Sequence, residues 1–324
     1  MFRFYFVSLH KSIIVFMAKP FLKWVGGKTQ LLDDIIPLID RKTYNKDSFI
    51  YVEPFVGGGS VLFNVIENFP NLKYAVINDL NADLMDCYRV LAWNTDSYDM
   101  YGKFKEELYR LQKEYNKCPT KATYEAFRDT YNKEREIMPL HTKCAYFVAL
   151  NKLCFNGIYR VNRKGEFNVP WNQKKSVNLF DEDVLDRCRM LIRDKVVVMN
   201  GDYFDTFVAT QFARVQNCDI LYYMDPPYRP VSDTSNFVDY TKDGFDDSEQ
   251  ERLQKLCSKI DYFGGDFIVS NSKSGDFFEN LYSDYNIDYI KARRNVNSKG
   301  DGRGKVDEIL IYNGEKTSKC VELF

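Results

Sequence analysis

The sequence is poor in the residues that most often bind metals or perform acid–base catalysis. It contains two histidines, and its eight cysteines are scattered without a CxxC pair. Because zinc sites need His and Cys ligands at short regular spacings, we predict no metal site. Catalysis by a histidine base or a Ser–His pair is disfavoured for the same reason. Scattered thiols without a disulfide framework indicate a reducing compartment, so we predict a cytoplasmic protein.

The chain also lacks an excess of charge of either sign and lacks a long apolar run. Its net charge is −1, so binding to nucleic acid would need local basic patches. Residues 151–176 and residues 291–305 supply two, each with six Lys or Arg and one acidic residue. Residues 1–17 are apolar, but they are too short and too interrupted by charge to span a membrane. We interpret residues 1–18 as an N-terminal extension and predict no membrane partner.

Two phosphate-binding patterns are incomplete. Gly57 could begin a GxGxxG dinucleotide fingerprint, but Leu62 stands where the last glycine is needed. Gly27-Lys28-Thr29 ends like a P-loop, but Leu22 stands in place of its first glycine. A dinucleotide-binding enzyme and a P-loop ATPase are therefore both disfavoured.

Short apolar runs without strict polar alternation recur along the chain. Such runs predict strands that are covered on both faces, which is typical of α/β folds. They lie at residues 50–52, 74–77, 196–199, 220–224, 267–269 and 309–312. A helical pattern follows Ser248, which with Glu251 predicts a capping box at the start of that helix.

Residues 83–180 show a different pattern. Apolar residues at helical spacing predict amphipathic helices at 104–115 and 124–131, and residues 144–155 predict a buried helix. Residues 158–169 predict a β-hairpin with a basic tip. The predicted division is therefore an α/β domain formed by 19–82 and 181–324, interrupted by a mostly helical domain at 83–180.

A glycine-rich segment, Glu53-Pro54-Phe55-Val56-Gly57-Gly58-Gly59-Ser60, joins a predicted strand to a helix. Such a turn lets a ligand approach the backbone and the helix N-terminus. Asp79 ends the next predicted strand about twenty residues later, where a carboxylate can accept hydrogen bonds from ribose hydroxyls. The two features together predict a ligand that contains a nucleoside.

The most informative segment is Asp225-Pro226-Pro227-Tyr228, which follows the predicted strand at 220–224. The prolines fix the backbone and end the strand, which leaves carbonyls free to accept hydrogen bonds. A carboxylate, free carbonyls and an aromatic ring suit the binding of a planar amino group without a nucleophile. With the glycine segment, they indicate methyl transfer from S-adenosylmethionine (AdoMet) to an exocyclic amine such as adenine N6. Asp225 and the Pro226 carbonyl would accept the amine hydrogens, and in-line attack would need no covalent intermediate.

In their order along the chain, these motifs resemble the Dam-type, or α-group, adenine-N6 DNA methyltransferases. The resemblance extends from Lys19 to Tyr312 and includes Phe21–Lys28, Ile268–Asn271 and the segment Arg293–Glu308. It implies a Rossmann-like AdoMet-dependent methyltransferase sheet with an inserted, mostly helical target-recognition domain that carries the hairpin. It also implies that the target base is flipped out of duplex DNA and stacks on Tyr228.

The resemblance assigns candidate site residues. The catalytic candidates are Asp225, Pro226, Pro227 and Tyr228. The cofactor-binding candidates are Trp24, Gly26, Lys28, Phe55, Gly57, Gly59, Asp79, Asp202 and Asp225. The DNA-binding candidates are Lys23, Lys152, Phe155, Asn156, Ile158, Arg160, Arg163, Lys164, Arg294 and Lys305.

Residues 151–160 resemble the recognition segment of GATC methylases. By this resemblance Arg160 would read a guanine edge, and Ile158 would touch a thymine methyl group. Phe155 and Asn156 would fill the space left by the flipped base. Two positions differ, because Phe155 replaces a frequent tyrosine and Lys152 stands where some relatives have arginine.

The expected partner is duplex DNA at GATC sites, and the expected state is a monomer or weak dimer. A cognate restriction endonuclease is a further candidate partner, and a viral chain would act in a host compartment that contains DNA. The alternatives are a methyltransferase for cytosine N4, RNA or protein amides, and a catalytically inactive DNA-binding module. Residues 229–247 show no clear element, which predicts a loop that closes over the substrate.

Overall fold

The computed structural model describes residues 19–95, 97–215, 218–229, 245–293 and 305–314. The strands are β1 (Phe49–Glu53), β2 (Leu72–Ile77), β3 (Val196–Val198), β4 (Asp219–Met224), β5 (Asp266–Ser272), β6 (Asn286–Arg293) and β7 (Lys305–Tyr312). The helices are α1 (Leu32–Thr43), α2 (Ser60–Asn68), α3 (Ala82–Ala92), α4 (Met100–Lys117), α5 (Lys121–Glu134), α6 (Leu140–Leu153), α7 (Glu182–Ile192), α8 (Tyr203–Val215), α9 (Asp247–Tyr262) and α10 (Phe277–Leu281). A short 3-10 helix spans Phe155–Gly157.

The strands of the described residues form one sheet in the order β3-β2-β1-β4-β5-β7-β6. The first five strands of that order are parallel, and β7 runs antiparallel to both β5 and β6. The chain moves outward from β1 through β2 to β3 and then returns to β4 on the other side of β1. The strand order therefore reverses between β1 and β4, as in other Rossmann-like sheets.

The central strands are buried on both faces, which explains their apolar sequences. In β1 and β4, alternate residues belong to two different hydrophobic clusters. Tyr51 and Tyr223 point into one cluster, while Ile50 and Tyr222 point into the other. The predicted α/β class with a Rossmann-like sheet is confirmed.

The helices α4, α5 and α6 lie between α3 and α7 in the chain and pack on one side of the sheet. Buried residues such as Phe104, Tyr131 and Phe147 belong to the same hydrophobic cluster as Tyr51 and Leu62. The mostly helical segment therefore shares a continuous core with one face of the sheet. Its division into a separate target-recognition domain at 83–180 stays a proposal.

The predicted hairpin at 158–169 is an antiparallel loop with isolated bridges in place of regular strands. Val161 pairs with Phe167, and Asn168 N donates to Arg160 O at 3.1 Å. The Asn132 side chain bonds both the N–H and the C=O of Phe167 and so joins this loop to α5. The basic tip residues lie on the exposed turn.

Two details of the sequence prediction were wrong or incomplete. The helix α9 is capped by Asp246, whose Oδ1 accepts from Glu249 N at 3.1 Å, so the predicted Ser248–Glu251 capping box is absent. The Ser248 hydroxyl instead donates to Asp246 Oδ1 at 2.6 Å. The strand β6 was not predicted, because its polar and charged residues interrupt the apolar pattern of an edge strand.

Several sequence predictions fall outside the described residues. They are the extension 1–18, most of the predicted loop 229–247, and Arg294. Within the described ranges, no helix is long and apolar enough to cross a membrane. The same ranges contain no cluster of three or more His, Cys, Asp or Glu side chains that could hold a metal ion.

Candidate active site

The glycine segment and the Asp225–Tyr228 turn meet where the strand order reverses. The first follows β1 and the second follows β4, and these two strands are parallel neighbours. Ligands of open α/β sheets bind in the crevice at the carboxyl ends of strands at such a reversal. The topology therefore brings the two predicted motifs to the same crevice.

Asp79 organises the glycine segment through backbone contacts. Its Oδ2 accepts from Gly57 N at 3.1 Å, and its Oδ1 accepts from Asn81 N at 2.9 Å. Burial raises the pKa of Asp79, and the hydrogen bonds from these two amides oppose that rise. Asn78, the residue before it, donates to Pro54 O and Gly201 O and so ties the loops after β1, β2 and β3 together.

Gly57 and Gly59 are required by conformation and by space. Their φ angles are 48° and 76°, in the left-handed region that favours glycine. A Cβ on Gly59 would lie 2.5 Å from the hydroxyl oxygen of Tyr88, which itself donates to Gly57 O at 3.0 Å. A Cβ on Gly57 would lie 2.9 Å from Cδ1 of Trp24. The loop is therefore packed closely enough that its backbone forms the wall of the crevice.

Trp24 joins this wall to the recognition segment. Its ring stacks on Tyr159 with centroids 6.1 Å apart and an interplanar angle of 27°. Tyr159 Oη donates to Asp83 Oδ2 at 3.1 Å, close to the Asp79 turn. The structure thus brings together three of the cofactor candidates, Trp24, Gly57 and Asp79.

Phe55 and Asp202 make a second group of cofactor candidates. The Phe55 ring lies 5.1 Å from that of Tyr203, at the start of α8. Asp202 pairs with Arg252 at 2.8 Å and accepts from Phe204 N at 2.8 Å. Burial raises the pKa of Asp202, but the hydrogen bonds from these partners outweigh it and hold the pKa below its usual value. Asp202 therefore carries a structural ion pair in this state.

Lys28 connects the N-terminal motif to the catalytic candidates. Its Nζ lies 2.8 Å from Asp225 Oδ2, donates to Gly26 O at 2.8 Å and sits 4.6 Å above the Tyr228 ring. The other carboxylate oxygen, Asp225 Oδ1, is buried and has no hydrogen-bond partner among the described residues. An unsatisfied buried acceptor is costly, which makes it a strong site for an incoming donor.

The carboxylate of Asp225 has an unusual ionisation. Burial raises its pKa to about 6, although the Lys28 ammonium lowers it. Beneath it, burial also raises the pKa of Glu53 well above its usual value, and Glu53 Oε2 accepts from Tyr51 Oη at 2.8 Å. At neutral pH Asp225 is ionised, and it can accept hydrogen bonds from a planar amine.

Side chains from α9, β5 and β7 fix the turn formed by residues 225–228, the proposed catalytic turn. Gln250 Nε2 donates to Pro227 O at 3.2 Å, and Asn271 donates in turn to Gln250 Oε1 at 3.4 Å. Tyr228 Oη donates to Glu308 Oε2 at 2.7 Å. The turn that presents Asp225 is thus fixed by α9, β5 and β7.

Comparison with known proteins identifies this arrangement. Residues 24–296 match the family described as D12 class N6 adenine-specific DNA methyltransferase. The chain belongs to this family. It is 39% identical to the type II methyltransferase M.MjaIII of Methanocaldococcus jannaschii, over 91% of this chain and 99% of that protein.

Two further relatives agree with the family. The type II methyltransferase M1.LlaDCHI of Lactococcus lactis subsp. cremoris is 34% identical over 91% of this chain and 95% of its own length. The DNA adenine methylase of Escherichia coli strain K12 is 30% identical over 90% of this chain and 94% of its own length. The predicted adenine-N6 DNA methyltransferase activity is confirmed, and the alternatives of cytosine N4, RNA or protein amides and of an inactive module are not supported.

In this D12-class methyltransferase, the predicted recognition segment lies beside the N-terminal motif. Asn151 donates to Lys23 O at 2.8 Å and to Gly157 O at 3.0 Å, so it ties the two segments together. Phe155 is 55% exposed, and Asn156 has a φ of 56°. The largely exposed Phe155 ring therefore lies directly before a residue in the left-handed conformation.

In this methyltransferase, Arg160 is hydrogen-bonded to Asn168 on the other side of the hairpin loop. Arg160 Nε donates to Asn168 Oδ1 at 2.8 Å, and its NH2 group donates to Asn168 O at 3.0 Å. The side chain is otherwise exposed, as are Arg163 and Lys164 at the loop tip, while Ile158 is half-buried. The candidate Lys305 begins β7, and Arg294 lies outside the described residues.

A cluster of three lysines, Lys23, Lys152 and Lys174, lies next to this segment. Lys174 Nζ donates to Lys152 O at 3.1 Å. Burial, followed by the charges of Lys23 and Lys174, lowers the pKa of Lys152. Lysines that repel one another at a partly buried place favour an anion between them.

Sequence reasoning missed three residues of this methyltransferase: Glu308, Gln250 and Lys174. Glu308 lies in a segment that resembles the family but was assigned no role. Gln250 is fully buried on the apolar stripe of α9 with Leu253, and a polar residue on such a stripe was the available signal. Lys174 was counted in a basic patch without being singled out.

Proposed function

We propose that this D12-class methyltransferase takes its methyl group from AdoMet and transfers it to N6 of an adenine that is flipped out of duplex DNA. The single observation that carries the proposal is the unpartnered, buried Oδ1 of Asp225 in the crevice where the glycine segment and the catalytic turn meet. An amine hydrogen would satisfy this oxygen.

The residues of the crevice fit AdoMet. Gly57 and Gly59 let the glycine loop pack tightly against Trp24 and Tyr88, and we propose that the backbone of this loop faces the cofactor. Trp24, Gly26, Lys28, Phe55, Gly57, Gly59, Asp79 and Asp202 are the proposed cofactor-binding residues. AdoMet, when bound, supplies a methyl group activated by a sulfonium.

In the proposed mechanism, the protein orients the amine and strengthens it as a nucleophile. Asp225 Oδ1 and the Pro226 carbonyl accept the two hydrogens of adenine N6, which increases the electron density on nitrogen. The Tyr228 ring stacks on the base and aligns N6 for in-line attack. The bond between N6 and the methyl carbon would form as the carbon–sulfur bond of the donor breaks, and one N6 hydrogen would leave as a proton to solvent by way of Asp225 Oδ1. Positioning and electrostatic stabilisation, rather than a covalent intermediate, account for the acceleration.

We further propose GATC as the target sequence. Arg160, braced by Asn168, would contact a guanine edge, and Ile158 would contact a thymine methyl group. Phe155 and Asn156 would occupy the gap left by the flipped adenine. Lys23, Lys152, Arg163, Lys164, Arg294 and Lys305 are proposed phosphate or base contacts.

The proposed biological setting rests on the relatives and not on the geometry of the site. Two relatives have names of type II methyltransferases, which supports pairing with a restriction endonuclease of the same sequence. A monomer or weak dimer and a cytoplasmic location stay predictions. Sedimentation across a range of protein concentrations would test the first.

Transfer of labelled methyl groups tests the function and the sequence separately. Purified protein is incubated with methyl-labelled AdoMet and matched duplexes that contain or lack GATC. Label in N6-methyladenine only with the GATC duplex is the expected result. Label in neither duplex would contradict the use of AdoMet or DNA, whereas equal label in both would contradict the GATC proposal alone. Asp225→Ala is the matched control, in which transfer should be lost while AdoMet binding largely survives.

A further inference from the structure

The hydrogen bond between Tyr228 and Glu308 links the catalytic turn to a distant part of the sheet. Tyr228 follows β4, whereas Glu308 lies on β7 and pairs there with Ser272 of β5. The Oη–Oε2 distance is 2.7 Å, and both side chains are only partly accessible. Because β5 lies between β4 and β7, this bond spans a full strand of the sheet.

The bond fixes a ring that also has the Lys28 ammonium above one face. The Lys28 ammonium lies 4.6 Å from the Tyr228 ring centroid. A tyrosine hydroxyl that donates to a carboxylate makes a short, strong hydrogen bond, which restricts rotation and tilt of the ring. The orientation of the ring face then depends on Glu308.

We propose that Glu308 is a positioning residue for methyl transfer: it holds the Tyr228 ring in the orientation that receives the flipped base. The effect on methyl transfer rests on the proposed function. The fixed position of the ring is a property of the protein without substrate.

The fixed position of the ring is tested without any methyl transfer. The Tyr228 ring is followed by carbon-13 NMR in the apo protein with labelled tyrosine, and Tyr228→Phe assigns its signal. Glu308→Ala removes the acceptor of the hydroxyl, so the ring signal should shift and broaden. Glu308→Gln keeps an acceptor, so its signal should stay close to the native one. An unchanged ring signal in Glu308→Ala would overturn the proposal.

The effect of the fixed ring on methyl transfer is tested by kinetics and by fluorescence. Glu308→Ala removes the acceptor and should lower kcat about tenfold with a smaller change in KM for DNA, since the loss acts on the aligned complex. Glu308→Gln should retain most of the native kcat. With 2-aminopurine at the target adenine, Glu308→Ala should also change the emission of the flipped base, because the stacking ring is no longer fixed.

A double-mutant cycle separates this role from a general loss of structure. If Glu308 acts through Tyr228, Glu308→Ala combined with Tyr228→Phe should be no slower than the slower single variant. Additive losses, or a native kcat in folded Glu308→Ala, would overturn the proposal that Glu308 positions the Tyr228 ring. If Glu308→Ala fails to fold, Glu308→Gln and Tyr228→Phe still decide the outcome. Inactivity of the unmutated protein would count against the proposed function and would leave the NMR result to stand.

Discussion

At the scale of single residues, the proposed chemistry depends on the ionisation of Asp225. Its carboxylate is buried, is paired with Lys28 through one oxygen and offers the other to an incoming donor. Burial places its pKa at about 6, above the usual value of 3.8. A carboxylate that is ionised at neutral pH yet poorly solvated is a strong hydrogen-bond acceptor, which suits the polarisation of an amine.

The raised pKa of Asp225 predicts a measurable dependence of stability on pH. Because the folded pKa exceeds the unfolded value, the folded state is favoured when Asp225 is protonated, and this contribution is lost as pH rises from about 4 to about 6. The difference in unfolding free energy between the native protein and Asp225→Asn should therefore fall over this window, by about 2–3 kcal/mol. Urea titrations at several pH values measure it. A difference that is constant across the window would contradict the assigned ionisation.

Arg160 is the residue on which the proposed reading of guanine depends. Replacement by Ala should cost about 1–3 kcal/mol of discrimination at one base pair, because a bidentate contact to a guanine edge is lost. The measurement is kcat/KM on duplexes that vary at each position of GATC. Arg163→Ala, on the exposed tip of the same loop, is the matched control and should not change the preference. Unaltered selectivity in Arg160→Ala would remove it from base reading.

At the scale of elements, the strand-to-helix turn after β1 is defined by glycines that no other residue can replace. Gly59 precedes α2 with a φ of 76° and lies against Tyr88. Asp79 then bonds the amide of Gly57 from the end of β2. Adjacent elements of the sheet therefore shape the proposed cofactor site together.

Gly59→Ala should destabilise this turn by about 2 kcal/mol or more, because a left-handed backbone and a close contact are both penalised. AdoMet affinity should fall with it, measured by calorimetry, and the thermal midpoint should drop. Gly27→Ala is the matched control, since a Cβ there meets its nearest atom at an ordinary 3.6 Å. Equal effects of the two substitutions would argue against a specific conformational role for Gly59.

At the scale of the whole molecule, the fold assembles a basic surface on a chain that has almost no net charge. Lys23 lies far along the sequence from Lys152 and Lys174, and its charge, after burial, lowers the pKa of both. Attraction for DNA thus depends on the local arrangement of charge, because the net charge of −1 provides none.

Lys174→Ala should weaken DNA binding about equally for GATC and unrelated duplexes and should reduce the salt dependence of binding by about one ion. Binding is measured by fluorescence anisotropy over a range of salt concentrations. Lys195→Ala is the matched control, because Lys195 is exposed at the start of β3, away from the crevice at the strands' carboxyl ends. A salt slope that is native in Lys174→Ala would exclude a phosphate contact.

Local patterns were sufficient for the strands, the glycine turn and the catalytic turn. The six predicted apolar runs correspond to strands of the sheet, and in the central strands burial on both faces is visible in the composition. The edge strand β6 and the cap of α9 were not predicted correctly. The polar residues of β6 interrupt its apolar pattern, and more than one polar residue near the start of α9 is of a type that can cap a helix. The proposed roles of the site residues stay predictions.

Motifs of a few residues could be recognised in the primary sequence because their chemistry is local: prolines end a strand, and glycines permit a tight turn. The residues that these motifs contact in the fold could not be predicted. Lys28 meets Asp225, Glu308 meets Tyr228 and Asn151 meets Lys23 across long stretches of chain. Such pairs depend on strand order and on the burial of charged groups, which no local pattern contains. Only the tertiary structure placed these side chains within hydrogen-bond distance and left one oxygen of Asp225 without a partner among the described residues.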